Sequence, residues 1–208
     1  MKTACLITGL CLLLLTGCNS ADRTNKKLQA STLFIELPEY CPTPDGMAIA
    51  PDGNLILACP NFADQTMPAC LMRITPDKRI SKWIDVPVLP ETGVACPMGI
   101  AFNEKGDLYV CDNQGWTGSE QGRGKGRLLK LIFDARGELQ ETVTVAYNME
   151  HPNGVRVHRG KVYVTQSSLS AIPSEKLVSG VYCFNEDDRD IEITNTTEDT
   201  NLLTTVVT

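Results

Sequence analysis

Three short motifs hold the residue types best suited to chemistry in this chain. Asp45 stands in Pro44-Asp45-Gly46, Met98 in Pro97-Met98-Gly99 and Asn153 in Pro152-Asn153-Gly154. An Asp carboxylate and an Asn amide oxygen aimed at one point are hard donors of the kind Ca²⁺ takes, about six to eight at a time, from carboxylates, carbonyls and water. Asp and Asn before Gly are also ordinary turn residues. Their recurrence at the same place in a repeated motif favours the metal reading, with Asp45 and Asn153 as ligands and calcium as the cation. Two further residues are candidates for catalysis. Asp112, in the run YVCDNQG, would contact substrate or support the ligands, and His151, just before the third motif, would shuttle a proton because imidazole titrates near neutrality. The plain alternatives are a strand-end turn residue and a surface histidine. No Gly-x-Ser-x-Gly elbow and no Ser-His-Asp arrangement is present.

The elements that position these residues are legible as an internal repeat. PDGMAIAPDGNLILACPN from Pro44, PMGIAFNEKGDLYVCDNQ from Pro97 and PNGVRVHRGKVYVTQSS from Pro152 align, with their prolines 53 and 55 residues apart. Each unit reads as Pro-x-Gly, a short alternating strand, a Gly-containing turn and a second apolar strand. A third strand follows in each, CLMRIT, RLLKLIF and GVYCFN, and a fourth in the first two, RISKWIDV and ELQETVTVAY. Four antiparallel strands per unit make one blade of a β-propeller, in which period-2 alternation packs each blade on both neighbours. A two-sheet sandwich has similar strands but no need for the same opening three times. The expected class is therefore all-β, a β-propeller of four-stranded blades near 44–90, 97–147 and 152–208, about three of an expected six. In that arrangement first strands line the channel, so Asp45, Met98 and Asn153 point towards one axis. The period places the next Pro-x-Gly at about position 206. The chain reads as a truncated product or incomplete gene model, inactive or poorly active as it stands, with completion of the ring in trans by another copy as the alternative. The acidic stretch NEDDRDIEITNTTED reads as a solvated loop in an interrupted blade. GSEQGRGKGR reads as an inter-strand loop whose basic residues rim a site for an anionic ligand.

The blade motifs from about Leu37 to Ser168 resemble those of the senescence-marker-protein/gluconolactonase family, six-bladed propellers related to regucalcin, calcium-dependent lactonases and paraoxonases. The resemblance implies a divalent cation held by an acidic residue of the first blade, the Asn of an Asn-Gly motif and a later Asp. Asn153 matches the Asn-Gly ligand, and Asp45 takes the acidic place, as Asp where many members have Glu. Met98 stands where several members carry a substrate-facing Asn, which weakens a sugar-lactone assignment, and the later Asp would fall in a blade beyond Thr208. The implied activity is metal-dependent hydrolysis of a small-molecule lactone or ester. The alternative is a non-catalytic, NHL-like propeller that binds a protein or carbohydrate, since propellers of that type share the Gly-x-Leu-Tyr-Val strand.

The amino terminus reads as an address. MKTACLITGLCLLLLTGC has one basic residue, Lys2, and an apolar run of signal-peptide length. It ends in Leu15-Thr16-Gly17-Cys18, which resembles a bacterial lipobox. The expectation is a signal over 1–17, lipidation at Cys18, a polar tether over 18–31 and a propeller over 32–208. Asn19 after the cleavage point favours the outer membrane, facing the periplasm, with membrane contact through the lipid only. Of nine cysteines, Cys41, Cys59, Cys70, Cys96, Cys111 and Cys183 remain for an oxidising compartment. Their pairing is left open by spacing, and with two histidines a structural zinc site is not expected. Lys plus Arg total 19 against 25 Asp plus Glu, a net charge of −6, which excludes non-specific nucleic-acid binding.

Overall fold

A computed structural model of the chain describes residues 30–64, 66–117, 119–199 and 201–207. The expected signal over 1–17, Cys18 and most of the expected tether over 18–31 lie outside the described residues. The chain divides into units 1–34 and 35–208, and residues 30–34 of the first form neither helix nor strand.

Unit 35–208 is all-β apart from two short 3-10 turns. The first sheet holds Met47–Ile49 (β1), Leu55–Cys59 (β2), Cys70–Ile74 (β3) and Ile80–Asp85 (β4) in sequential antiparallel order. The second holds Pro97–Phe102 (β5), Leu108–Asp112 (β6), Gly126–Phe133 (β7) and Leu139–Met149 (β8). The third begins with Pro152–His158 (β9), Lys161–Gln166 (β10) and Ser179–Asn185 (β11). After the two-residue strand Ile191–Glu192 (β12), its fourth strand is Leu203–Val207 (β13). Each inner hairpin turns on a glycine in the left-handed region, Gly53, Gly106 and Gly160, with φ of 84°, 88° and 75°. The order of these four strands in each sheet is the sequential antiparallel one that the repeat predicts.

Alternation decides how the sheets stack. Along β6, Leu108 and Val110 face the first sheet and join Ile56, Ala58 and Leu71, whereas Tyr109 and Cys111 face the third and join Val162, Val164 and Phe184. Every residue of β6 is therefore buried, as a sheet covered on both faces requires. The outer face of the first sheet is covered by the segment before β1. Leu37 and Cys41 pack on Leu57, Cys70 and Met72, and Cys41 is joined to Cys59 by a disulfide. Cys70, Cys96, Cys111 and Cys183 remain thiols.

Two details differ from the sequence expectation. The third unit also has a fourth strand, β13. The acidic stretch before it is not merely a solvated loop: β12 pairs in parallel with β8 of the second sheet, Ile193 is buried, and the buried Asp199 accepts hydrogen bonds from Tyr182 Oη at 2.8 Å and Thr194 Oγ1 at 2.9 Å. Half-buried Ile191 and buried Ile193, at alternate positions of this stretch, pack against the core between the second and third sheets.

The Pro-x-Gly glycines set the contact between blades. A Cβ on Gly46 would collide with the Met98 carbonyl oxygen and lie 2.8 Å from the Gly99 Cα. One on Gly99 would collide with the Asn153 carbonyl oxygen and lie 2.9 Å from the Gly154 Cα. The obstructing atoms are backbone, so no rotamer change relieves them. Gly99→Ala is expected to cost about 3 kcal/mol or more through overpacking. Gly53→Ala, strained only in φ and with open space around its Cβ, is expected to cost about 1–2 kcal/mol. Urea unfolding of the two variants checks the order.

Candidate functional site

The glycine contacts place β1, β5 and β9 side by side with Gly46, Gly99 and Gly154 in register, so Asp45, Met98 and Asn153 stand in a row. Backbone bonds fix the two ends of that row. Asp45 N–H donates to the Ala58 carbonyl at 2.9 Å and Ala58 N–H to that of Gly46 at 2.8 Å, while Ser167 N–H donates to the His151 carbonyl at 3.1 Å. The side chains at the three positions fare differently. Asp45 is exposed yet close enough to the protein for burial to push its carboxyl above the ordinary 3.8, and no described residue offers it a hydrogen bond or counter-ion. Asn153 is half-buried, and its amide bonds to no described residue. Met98 is buried in the apolar layer between the second and third sheets, packed with Val155, so it presents no side chain to a polar site.

A divalent cation at this row would have two free oxygen side chains, one on each side of β5. The donors are of the hard type that calcium takes, but they are two of the about six to eight oxygens it needs. Among the described residues no group of three His, Cys, Asp or Glu side chains is placed to hold a metal. The described residues therefore supply two side chains of suitable chemistry and no complete donor set.

Asp112 is fully buried and occupied. Arg127 Nε lies 2.6 Å from Oδ2, Cys96 N–H donates to Oδ1 at 2.7 Å, and Gln114 Nε2 reaches both oxygens at 3.0 and 2.9 Å. Arg127 Nη2 also donates to the Pro87 carbonyl at 2.7 Å. This carboxylate ties the segments before β5 and after β6 to β7, and no lone pair is left facing solvent for a substrate. The pairing also removes Arg127 from the basic rim expected of the 118–127 loop, leaving Arg123 beside a polar cleft of about 240 Å³ that His151 and Glu150 also line. His151 is half-buried, with Nδ1 3.2 Å from Asn113 Oδ1 and its ring against Gly115, where a Cβ would lie 2.8 Å from Cε1. Asn113 and Arg127 are the partners missed in the sequence. The Asp112–Arg127 pair has a signal in hindsight, since the two are directly opposed in the β6–β7 register.

Two variants test these assignments. Asp112→Ala strands the Arg127 guanidinium, whose side chain is 10% exposed, and is expected to cost about 3–5 kcal/mol; combining it with Arg127→Met should recover much of the loss in a thermal melt. For Asp45 the folded carboxyl titrates above its unfolded value of 3.8, so its ionisation destabilises the fold as pH rises through that window. Asp45→Asn is accordingly expected to be more stable than the parent at pH 7, with the gain vanishing below about pH 3.8, as urea midpoints across pH will show.

No protein-family model matches the chain, and no curated protein matches it. Solved structures do. One assigned as a gluconolactonase is 22% identical, with a TM-score of 0.48, over 70% of this chain and 46% of its own. A gluconolactonase of Xanthomonas campestris is 20% identical, with a TM-score of 0.47, over 69% and 44%. A streptogramin B lyase is 15% identical, with a TM-score of 0.41, over 76% and 46%. The chain thus spans under half the length of each of these structures.

Proposed function

We propose that this chain belongs to a cell-envelope hydrolase of small lactones or esters that depends on a divalent cation, calcium by the chemistry of its donors. The reading is supported by one observation above the rest. Asp45 and Asn153 occupy equivalent places in blades one and three, and neither side chain is engaged by any described residue. A carboxylate raised by desolvation and left without a partner works against stability, which is the usual condition of a group kept for a ligand. The anchoring at Cys18 and the outer-membrane, periplasm-facing location belong to the same proposal and rest on the lipobox-like run Leu15 to Cys18.

In this reading a bound cation would polarise the ester carbonyl and acidify water. Asp45 and Asn153 would hold it, and they are seated by the glycines that follow them. Met98, turned into the apolar layer, gives no polar contact to a substrate. His151, through Nδ1, is held by Asn113, which leaves its other ring nitrogen as the group able to relay a proton.

Calorimetric titration with Ca²⁺ tests the site directly. Binding in the range of about 10⁻⁴–10⁻³ M is expected for so few charged ligands, weakened as pH falls through the raised Asp45 carboxyl and lost in Asp45→Ala and Asn153→Ala. Heat of binding unaltered by both substitutions, or no Ca²⁺ binding at all, would return the protein to the non-catalytic, NHL-like alternative.

A further inference from the structure

Beside the row of Asp45, Met98 and Asn153 the first two sheets part around a cleft of about 330 Å³, a volume at the lower end of small-molecule sites. Its walls come from the loop after β2, the connection between β4 and β5, and the segment after β6. Phe62, Met67, Val88, Val94, Cys96 and Trp116 are among the residues that line it. The Phe62 and Trp116 rings meet with centroids 4.2 Å apart at an interplanar angle of 33°. Even so, Trp116 stays 46% exposed, Val88 53% and Val94 36%. Apolar surface left wet in a concavity is a standing gain for any apolar group that fills it.

The cleft is braced rather than collapsed. Asn61, fully buried, donates through Nδ2 to the carbonyls of Tyr40 at 3.1 Å and Pro68 at 2.9 Å, which holds the Phe62 loop open. Gln114 donates to the Val94 carbonyl at 3.0 Å and accepts from Thr92 Oγ1 at 2.5 Å, which holds the opposite wall. The charged group in the lining, Asp85, is already engaged by Lys82 Nζ at 2.8 Å. A sugar would need several free donors and acceptors here, and the walls provide few. Cys96 links the cleft to the channel row. It lines the cleft and immediately precedes Pro97-Met98-Gly99.

We infer that this cleft, with Trp116 and Phe62 as its aromatic wall, takes the apolar substituent of the substrate, so that the substrate class is lactones or esters with an aliphatic or aromatic arm rather than polyhydroxylated sugar lactones. The inference rests on the hydrolase reading above for its reactive group, and on the cleft alone for its apolar arm.

The chain has two tryptophans, and Trp83 stacks on Phe133 at 4.9 Å, so Trp83→Phe leaves Trp116 as the single indole reporter. Titration of this variant with δ-decanolactone is expected to give a saturable change in Trp116 emission, and glucono-δ-lactone none. Val88→Glu and Val94→Asp, both at exposed positions, are expected to weaken δ-decanolactone about tenfold or more by placing a charge against its chain. Equal response to both lactones, no saturable change, or affinity indifferent to both substitutions overturns the inference. Saturable δ-decanolactone binding with no Ca²⁺ bound through Asp45 and Asn153 upholds the cleft and overturns the hydrolase reading. Ca²⁺ binding that Asp45→Ala and Asn153→Ala abolish, together with δ-decanolactone affinity indifferent to Val88→Glu and Val94→Asp, does the reverse.

Discussion

The contact on which the arrangement depends is backbone laid against backbone at Gly46 and Gly99. Elsewhere the sheets are kept apart by full side-chain layers, such as Ile56 and Leu71 against Val110 and Leu129. At the inner strands there is no such layer, and a methyl group would already be too much. This pinch makes the three sheets splay outwards from their inner edges and sets the residue before each glycine at one level. The candidate site is thus a by-product of packing: the spacing that lets blades close on one another also lines up Asp45, Met98 and Asn153.

Around that pinch the buried charges are matched within the protein, in contrast to the exposed Asp45. At one end of the second sheet Asp112 is paired with Arg127; elsewhere on that sheet Lys130 meets Asp107 at 3.0 Å while Asn103 joins Asp107 to Glu186 of the third sheet. Tyr109 Oη donates to the Glu186 carbonyl in the same network. Removing either partner of such a pair leaves a stranded charge, so these groups fix geometry and are poor candidates for chemistry that must lose or gain a proton. Asp45 is the contrasting case, a carboxylate that the fold raises and does not pair.

Much of the fold was legible because a repeat samples the same physics three times. The turn glycines, the alternation of β6 and the Pro-x-Gly openings each had a local cause that composition and spacing reveal. What was not legible depends on contacts between distant segments. Met98 shares its position with Asp45 and Asn153, but its apolar chain is drawn into the layer beside Val155, and only the stacking of the sheets says so. Asp112 looked solvent-facing at a strand end until Arg127, one strand away, closed over it. The Cys41–Cys59 bridge depends on the segment from Leu37 folding back over β2, which no spacing rule fixes. In the stretch after Asn185 the acidic majority masks, in a linear reading, the two isoleucines that dock it.

β12 has a mechanical consequence. In a plain row of blades each sheet could be pulled from its neighbour by parting one apolar layer, as a stack of cards is dealt. Here the chain leaves the third sheet after β11, lays Ile191–Glu192 along the outer edge of β8, and returns to the third sheet as β13. The second and third sheets are therefore laced at the rim as well as pressed together at the hub. Load applied between them must shear a parallel hydrogen-bonded pair before the layer can open, whereas the first and second sheets have no such stitch among the described residues. Under tension the molecule should give way first between blades one and two, along the seam that holds the Trp116 cleft.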